Sequence, residues 1–337
     1  MNRWLVPVVG AVLVVSVAAG CGRAQERKPS ESVDDYTSCG PRTVDVSDVD
    51  VTPLAPSTPE LPVTVSSFDG EVVTVADASR ILAVDLYGSL AEIVFALGLG
   101  EYVVGRDTAT TFEAAKDLPL VTPAGHDLSA EGILRLNPTV ILTDSTTGPA
   151  TVIDQLRAAG IPVVFFDPSR SLDGVPARMT AVADALGVPR AGDALASSSA
   201  NRAASAASST VDSRPTVAFL YLRGSAGVYL IGGDLAGSDA MIEAAGGIDA
   251  GSALGLERFR PLTAEALAAA APDVLLVMTA GLESVGGIDA LLQMPGIAQT
   301  PAAASRRVVD IDDGMLLTFG ARSPQVVRTL ADALWCR

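Results

Sequence analysis

A single histidine, His126, limits the chemistry open to this chain. A zinc site built from several imidazoles cannot form, and a Ser-His-Asp triad would have to use His126. No nucleophile-elbow or P-loop pattern occurs. The side chains with donor or charge chemistry at telling places are Tyr87, His126, Tyr221, Arg223, Arg260 and Met278. Imidazole, phenol, guanidinium and thioether groups can hold a ligand, but nothing here supplies an activated nucleophile, so the sequence predicts binding and not an enzyme.

An internal repeat shows what must position these residues. Leu128-Ser129-Ala130-Glu131 and Leu262-Thr263-Ala264-Glu265 each open a helix, and the helices end at Asn137-Pro138 and Ala271-Pro272. Strands Val140-Ile141-Leu142 and Val274-Leu275-Leu276 follow, every pair being 134 residues apart. The same offset relates Arg80 to Arg214, Tyr87 to Tyr221, His126 to Arg260 and Asp144 to Met278. Further strand runs at Ile81–Leu86, Val103–Val104, Val163–Phe166, Val217–Tyr221 and Val308–Ile311 alternate with helical segments. This alternation predicts an α/β fold of two Rossmann-like lobes with mostly parallel sheets. Leu172 to about Ser209 is rich in Ala and free of strand signals; it reads as one long connecting helix, kinked or interrupted at Gly187-Val188-Pro189. Ligands of open α/β sheets lie off the carboxyl ends of the strands, so two facing lobes share one cleft with chemically unlike walls.

The N-terminus sets the compartment. Arg3 precedes an uncharged apolar run from Trp4 to Ala18, too short to span a bilayer, and Ala18-Ala19-Gly20 lead into Cys21. The pattern predicts a signal peptide over 1–20 and lipidation of Cys21, leaving the protein anchored on the outer face of the cell membrane. Residues 21–66 are rich in Pro, Ser, Thr and Asp and read as a tether, though the alternation Val44, Val46, Val49, Val51 would let part of it lie along the domain. The lobes follow at 67–170 and 211–337, joined by 171–210. In an exported protein Cys39 and Cys336 are expected to form a disulfide, two free thiols being the alternative. The net charge of −16 argues against nucleic acid and against adhesion to an anionic membrane, so contact with the membrane is expected through the lipid only.

Residues 80–335 resemble the solute-binding proteins of ABC importers for cobalamin, ferric siderophores or haem. Within that class they look most like haem-binding lipoproteins. The resemblance is carried by Gly125-His126-Asp127-Leu128, Tyr221-Leu222-Arg223-Gly224, Asp239 to Gly247, Pro261-Leu262-Thr263-Ala264-Glu265, Gly281 to Gly287 and Phe319-Gly320-Ala321-Arg322-Ser323-Pro324. It implies a monomer with haem as transported ligand and an ABC permease as partner. It also implies His126 and Tyr221 as ligands to the haem iron, with Arg223 hydrogen-bonded to the phenol; Tyr229 is an alternative ligand. Ferric iron accepts imidazole nitrogen and phenolate oxygen, and a neighbouring guanidinium favours the ionised phenol. Met278, Tyr87 and Arg260 are expected to line the cleft. Glu92 and Glu243 are the positions implied for exposed carboxylates that orient docking on the permease. A ferric siderophore or cobalamin carrier, or an envelope interaction protein that kept the fold, are the competing readings.

Overall fold

The computed structural model describes residues 39–46, 49–206 and 214–337. The signal peptide and Cys21 lie outside the described residues. Two sheets form the two lobes. The first has four parallel strands in the order Val103–Gly105, Ile81–Ala83, Val140–Asp144, Val163–Phe166. Its strands are short and apolar because helices cover both faces, as parallel sheets require. The second runs Arg42–Thr43, Val308–Ile311, Val274–Met278, Thr216–Arg223, Val228–Gly232, Phe259–Pro261, the last two antiparallel to their neighbours. Ile248–Asp249 pairs alongside the start of Thr216–Arg223.

The repeat survives in local detail. Ser129 and Thr263 cap helices Ala130–Arg135 and Ala264–Ala270, each side chain accepting a backbone N–H three residues on. Asn137 and Ala271 end their segments in the left-handed region, at φ 46° and 41°. The first strands are not equivalent in the same register. Ile81 pairs with Val140, whereas Val217, not Pro215, pairs with Val274. Pro215 has no N–H to give to the ladder, so the second lobe begins its pairing two residues later. Asp85 therefore takes the place of Tyr221, and Tyr87 that of Arg223, correcting the Tyr87 to Tyr221 correspondence drawn from residue spacing.

The connecting segment is two helices, Val175–Ala185 and Pro189–Ala206, packed against each other. Gly187 at φ 70° turns the chain and Pro189 starts the second helix. At Gly192 the two approach so closely that a Cβ would meet Ala183 Cβ at 2.4 Å.

The segment expected to be a tether is, from Cys39 to Ser66, largely built into the domain. Arg42–Thr43 extends the second sheet beside Val308–Ile311, Val44, Val49 and Val51 are buried, and Val63–Ser66 forms a hairpin with Val72–Val75. Backbone pairing and these alternating valines outweigh the segment's abundance of Pro, Ser, Thr and Asp. Cys39 and Cys336 are bridged, with Cα atoms 5.8 Å apart, tying this extension to the C-terminus. The fully buried Arg307 sits beside that bridge and donates to the carbonyls of Gly40, Ala333 and Leu334.

The lobes meet through a buried ion pair. Glu92, on helix Ser89–Ala96 of the first lobe, accepts from Arg322 N at 2.7 Å and Arg322 Nε at 2.8 Å. The side chains are 1% and 5% exposed. Arg322 also donates to Gly314 O at 3.3 Å and lies over Phe112. Gly320 makes room for the pair, since a Cβ there would stand 2.4 Å from Glu92 Oε1. The expectation that Glu92 is an exposed docking acid is thus corrected: its carboxylate is spent on Arg322, 230 residues away in sequence. Glu243 is exposed.

Candidate functional site

A cavity of about 440 Å³ opens between the lobes. The carboxyl ends of the strands supply most of its walls, as the topology demands. Tyr87 follows Ile81–Ala83, Tyr221 and Arg223 lie at the end of Thr216–Arg223, and Met278 closes Val274–Met278. His126 faces the same cavity from the loop before helix Ala130–Arg135. That loop is held by Thr108 Oγ1 donating to Gly125 O at 2.8 Å and by Leu128 N donating to Gly148 O. Gly125, at φ 93°, gives the turn a conformation that an L side chain resists.

Five of the six expected cleft residues come together: Tyr87, His126, Tyr221, Arg223 and Met278. Arg260 does not. It lies in the edge strand Phe259–Pro261, where side chains alternate between faces, and Phe259 is the one that lines the cavity. Arg260 is exposed. The same alternation removes Tyr229 as a substitute ligand. Leu230 lines the cavity, and Tyr229 packs on the far side of the sheet with the cluster around Leu220 and Leu222.

The second-lobe wall is a stack of interacting groups. Arg223 places its guanidinium 4.6 Å from the centre of the Tyr221 ring, and the other neighbour of that ring is Phe259, edge-on at 5.9 Å. Arg223 Nη1 donates to Leu222 O at 2.8 Å and Nη2 to Asp313 Oδ1 at 2.7 Å. Met278 Sδ lies 4.0 Å from the same Nη2. The expected hydrogen bond from Arg223 to the phenol is replaced here by stacking, because Asp313 competes for the guanidinium. Asp313 and Phe259 are among the lining residues that sequence reasoning missed, with Leu230 and Leu317. An acid just beyond a strand's carboxyl end was the available sign for Asp313.

The first-lobe wall rests on buried acids. Asp85, Asp107 and Asp144 stand at or just beyond the ends of three parallel strands and accept backbone N–H groups of the following turns. Burial and the nearby Asp85 push the Asp107 carboxyl up to about 7. Burial also raises Asp144. Arg170 answers part of this charge, its Nη2 being 3.5 Å from Asp144 Oδ2 and 3.9 Å from Asp85 Oδ1. The same guanidinium lies 4.0 Å from the centre of the Tyr87 ring. Burial raises the Tyr87 phenol above its ordinary range, and Arg170 opposes that rise. No group of three or more His, Cys, Asp or Glu side chains among the described residues is arranged to hold a metal ion. A metal arriving within a ligand that brings its own donors would need one or two protein donors only.

Residues 84–314 match the periplasmic binding protein family. The chain belongs to that family. Among its periplasmic-binding-protein relatives is the Bacillus subtilis (strain 168) uncharacterized ABC transporter substrate-binding lipoprotein YvrC. It is 25% identical over 340 residues, covering 98% of this chain and 96% of that one. Among solved structures, the heme-binding protein HmuT is 39% identical, with a TM-score of 0.85, covering 90% of this chain and 99% of that one. Solved forms of HmuT include alanine substitutions of one histidine, one tyrosine and one arginine, the last two being two positions apart. The periplasmic heme-binding protein RhuT from Roseiflexus sp. RS-1, in apo form, is 43% identical, with a TM-score of 0.73, covering 77% of this chain and 99% of that one.

Proposed function

We propose that this periplasmic binding protein captures ferric haem between its lobes on the outer face of the membrane and passes it to an ABC permease. The observation that carries this reading is the meeting of His126 and Tyr221 in one cavity, with Arg223 stacked on the tyrosine. Histidine, tyrosine and arginine, the last two at the same spacing, are also the residues replaced in the solved forms of HmuT. A porphyrin supplies four nitrogen donors, leaving axial positions for an imidazole and a phenolate. Phe259, Leu230, Leu317 and Met278 give the macrocycle apolar surface. The binding unit comprises lobes 67–170 and 211–337, joined by 171–210, with the extension from Cys39 to Ser66 packed onto them. Lipid on Cys21 holds this monomer at the membrane, as the lipoprotein YvrC is named for. Its role is capture and delivery, without turnover.

Cargo choice separates this reading from its competitors. Calorimetric titration with haemin, cyanocobalamin and a ferric hydroxamate siderophore is expected to give haemin the lowest Kd, by about 100-fold or more, equivalent to about 2.7 kcal/mol. Tighter binding of either other cargo would overturn the haem assignment.

For docking, Glu243 is retained as a candidate permease contact. The repeat offers a more symmetric pair, Glu131 and Glu265, each exposed in the first turn of its helix. Exposed acids at matching places on both lobes orient a two-sided partner without adding much affinity. With the chain supplied to its permease in proteoliposomes, the Glu131→Lys, Glu265→Lys double variant is expected to lower haem delivery about tenfold or more. Its Kd for haemin should stay unchanged. Unimpaired delivery would remove these two residues from the docking surface.

A further inference from the structure

Arg223 spends its hydrogen bonds away from the Tyr221 phenol, in a place built to receive it. Nη2 donates to Asp313 Oδ1 at 2.7 Å and Nη1 to Leu222 O at 2.8 Å. Gly281 leaves the room for this, since a Cβ there would stand 3.1 Å from Nη1. Asp313 is itself fixed, its Oδ2 accepting from Ala280 N at 2.9 Å. The loop around it is pinned by Gly314 N donating to Asp312 Oδ1, and by Arg322 and Thr318 donating to Gly314 O. On this loop the second lobe also meets the first, for a Cβ on Gly314 would stand 2.0 Å from Thr111 Oγ1. The carboxylate is thus a stationary acceptor that the guanidinium can take or leave. Exposure separates this pair from the one that joins the lobes: Arg223 and Asp313 are 32% and 28% exposed, Arg322 and Glu92 only 5% and 1%. Water screens the first pair, which makes it weak enough to exchange, while the second is too costly to break. Because the guanidinium already lies over the Tyr221 ring, a change of partner requires only side-chain movement.

We infer that Asp313 is a positioning residue for cargo exchange: it claims the Arg223 guanidinium in the empty cleft, competes for it with the iron-bound oxygen of Tyr221, and so limits the grip on haem. The inference rests on the haem reading and adds a residue that touches neither the iron nor its ligand. A tyrosine oxygen bound to iron carries negative charge, and a guanidinium hydrogen-bonded to it stabilises the loaded state. A carboxylate that keeps the guanidinium stabilises the empty state instead, and the difference between the two preferences is what Asp313 contributes. A delivery protein gains from such a limit, because the rate of hand-over depends on how fast the cargo leaves.

The test is a double-mutant cycle of Asp313→Asn and Arg223→Ala. Haemin binding is followed by visible absorption, and release by transfer of haem to excess apomyoglobin. Asp313→Asn is expected to bind haemin about tenfold more tightly than wild type and to release it correspondingly more slowly. Its tyrosinate-to-iron charge-transfer band should move, because the oxygen gains a donor. In the Arg223→Ala background the same substitution should change Kd by less than about twofold and leave that band in place. Asp313→Glu, which restores the carboxylate, should return both readings toward wild type. Asparagine can still accept from Ala280 N, so the fold is expected to hold; should Asp313→Asn fold poorly, Asp313→Ser carries the same comparison. Unchanged or weaker haemin binding in Asp313→Asn, or an equal gain with and without Arg223, would overturn the role of Asp313 while leaving the haem reading standing. A wild type that binds no haemin would overturn both.

Discussion

Tyr221→Phe is expected to weaken ferric haem binding about 100-fold and to shift the Soret and charge-transfer bands of the complex. Phenylalanine keeps the edge-on contact with Phe259 and the stacking with Arg223, so the fold and the cavity should persist. What disappears is the phenolate oxygen that favours ferric over ferrous iron. Loss of a central anchor commonly costs about 2 to 4 kcal/mol, which corresponds to about 30- to 1,000-fold in Kd. His126→Ala is expected to shift the spectrum differently, because the imidazole comes from the opposite lobe and its loop is held by backbone contacts that the substitution leaves alone. Arg223→Ala should produce a smaller spectral change, since the guanidinium acts on the iron only through the phenol. Unaltered spectra in both Tyr221→Phe and His126→Ala would remove these residues as ligands.

Glu92→Ala should destabilise the protein by about 3 to 5 kcal/mol. The change leaves Arg322, 5% exposed, without its carboxylate in a buried site where a lone charge is costly. Urea unfolding followed by circular dichroism measures the loss, and the midpoint should fall while the slope stays constant. Glu92→Gln keeps an acceptor for Arg322 and should lose less. Because Arg322 also donates to Gly314 O, and Gly314 lines the cavity, weaker haem binding should accompany the loss of stability. An unchanged midpoint in Glu92→Ala would mean that the pair does not hold the lobes together.

These two residues show where the sequence is legible. The repeat was readable because its parts are local: caps at Ser129 and Thr263, turns at Asn137 and Ala271, and apolar runs beginning at Val140 and Val274. Cleft membership of His126, Tyr221, Arg223 and Met278 followed from strand order, because carboxyl ends of parallel strands share one edge. Contacts between distant segments were not legible. Nothing near Glu92 in sequence announces Arg322, so helix position alone suggested exposure. Arg260 was misplaced because equal spacing in a repeat does not ensure equal local structure: His126 sits in a loop and Arg260 in a strand. Pro215 shifted the first strands by two residues for a reason visible in the sequence but decisive only in the ladder. The extension from Cys39 was read as a tether from its composition, yet backbone pairing beside Val308–Ile311 and the bond to Cys336 fix it to the domain.

The central claim is tested most directly by the visible absorption of the purified wild-type protein titrated with haemin. A saturable complex is expected, with a Soret band displaced from that of free haemin and with ferric charge-transfer bands of histidine and tyrosinate ligation. A spectrum that remains the sum of protein and free haemin at every ratio would contradict it.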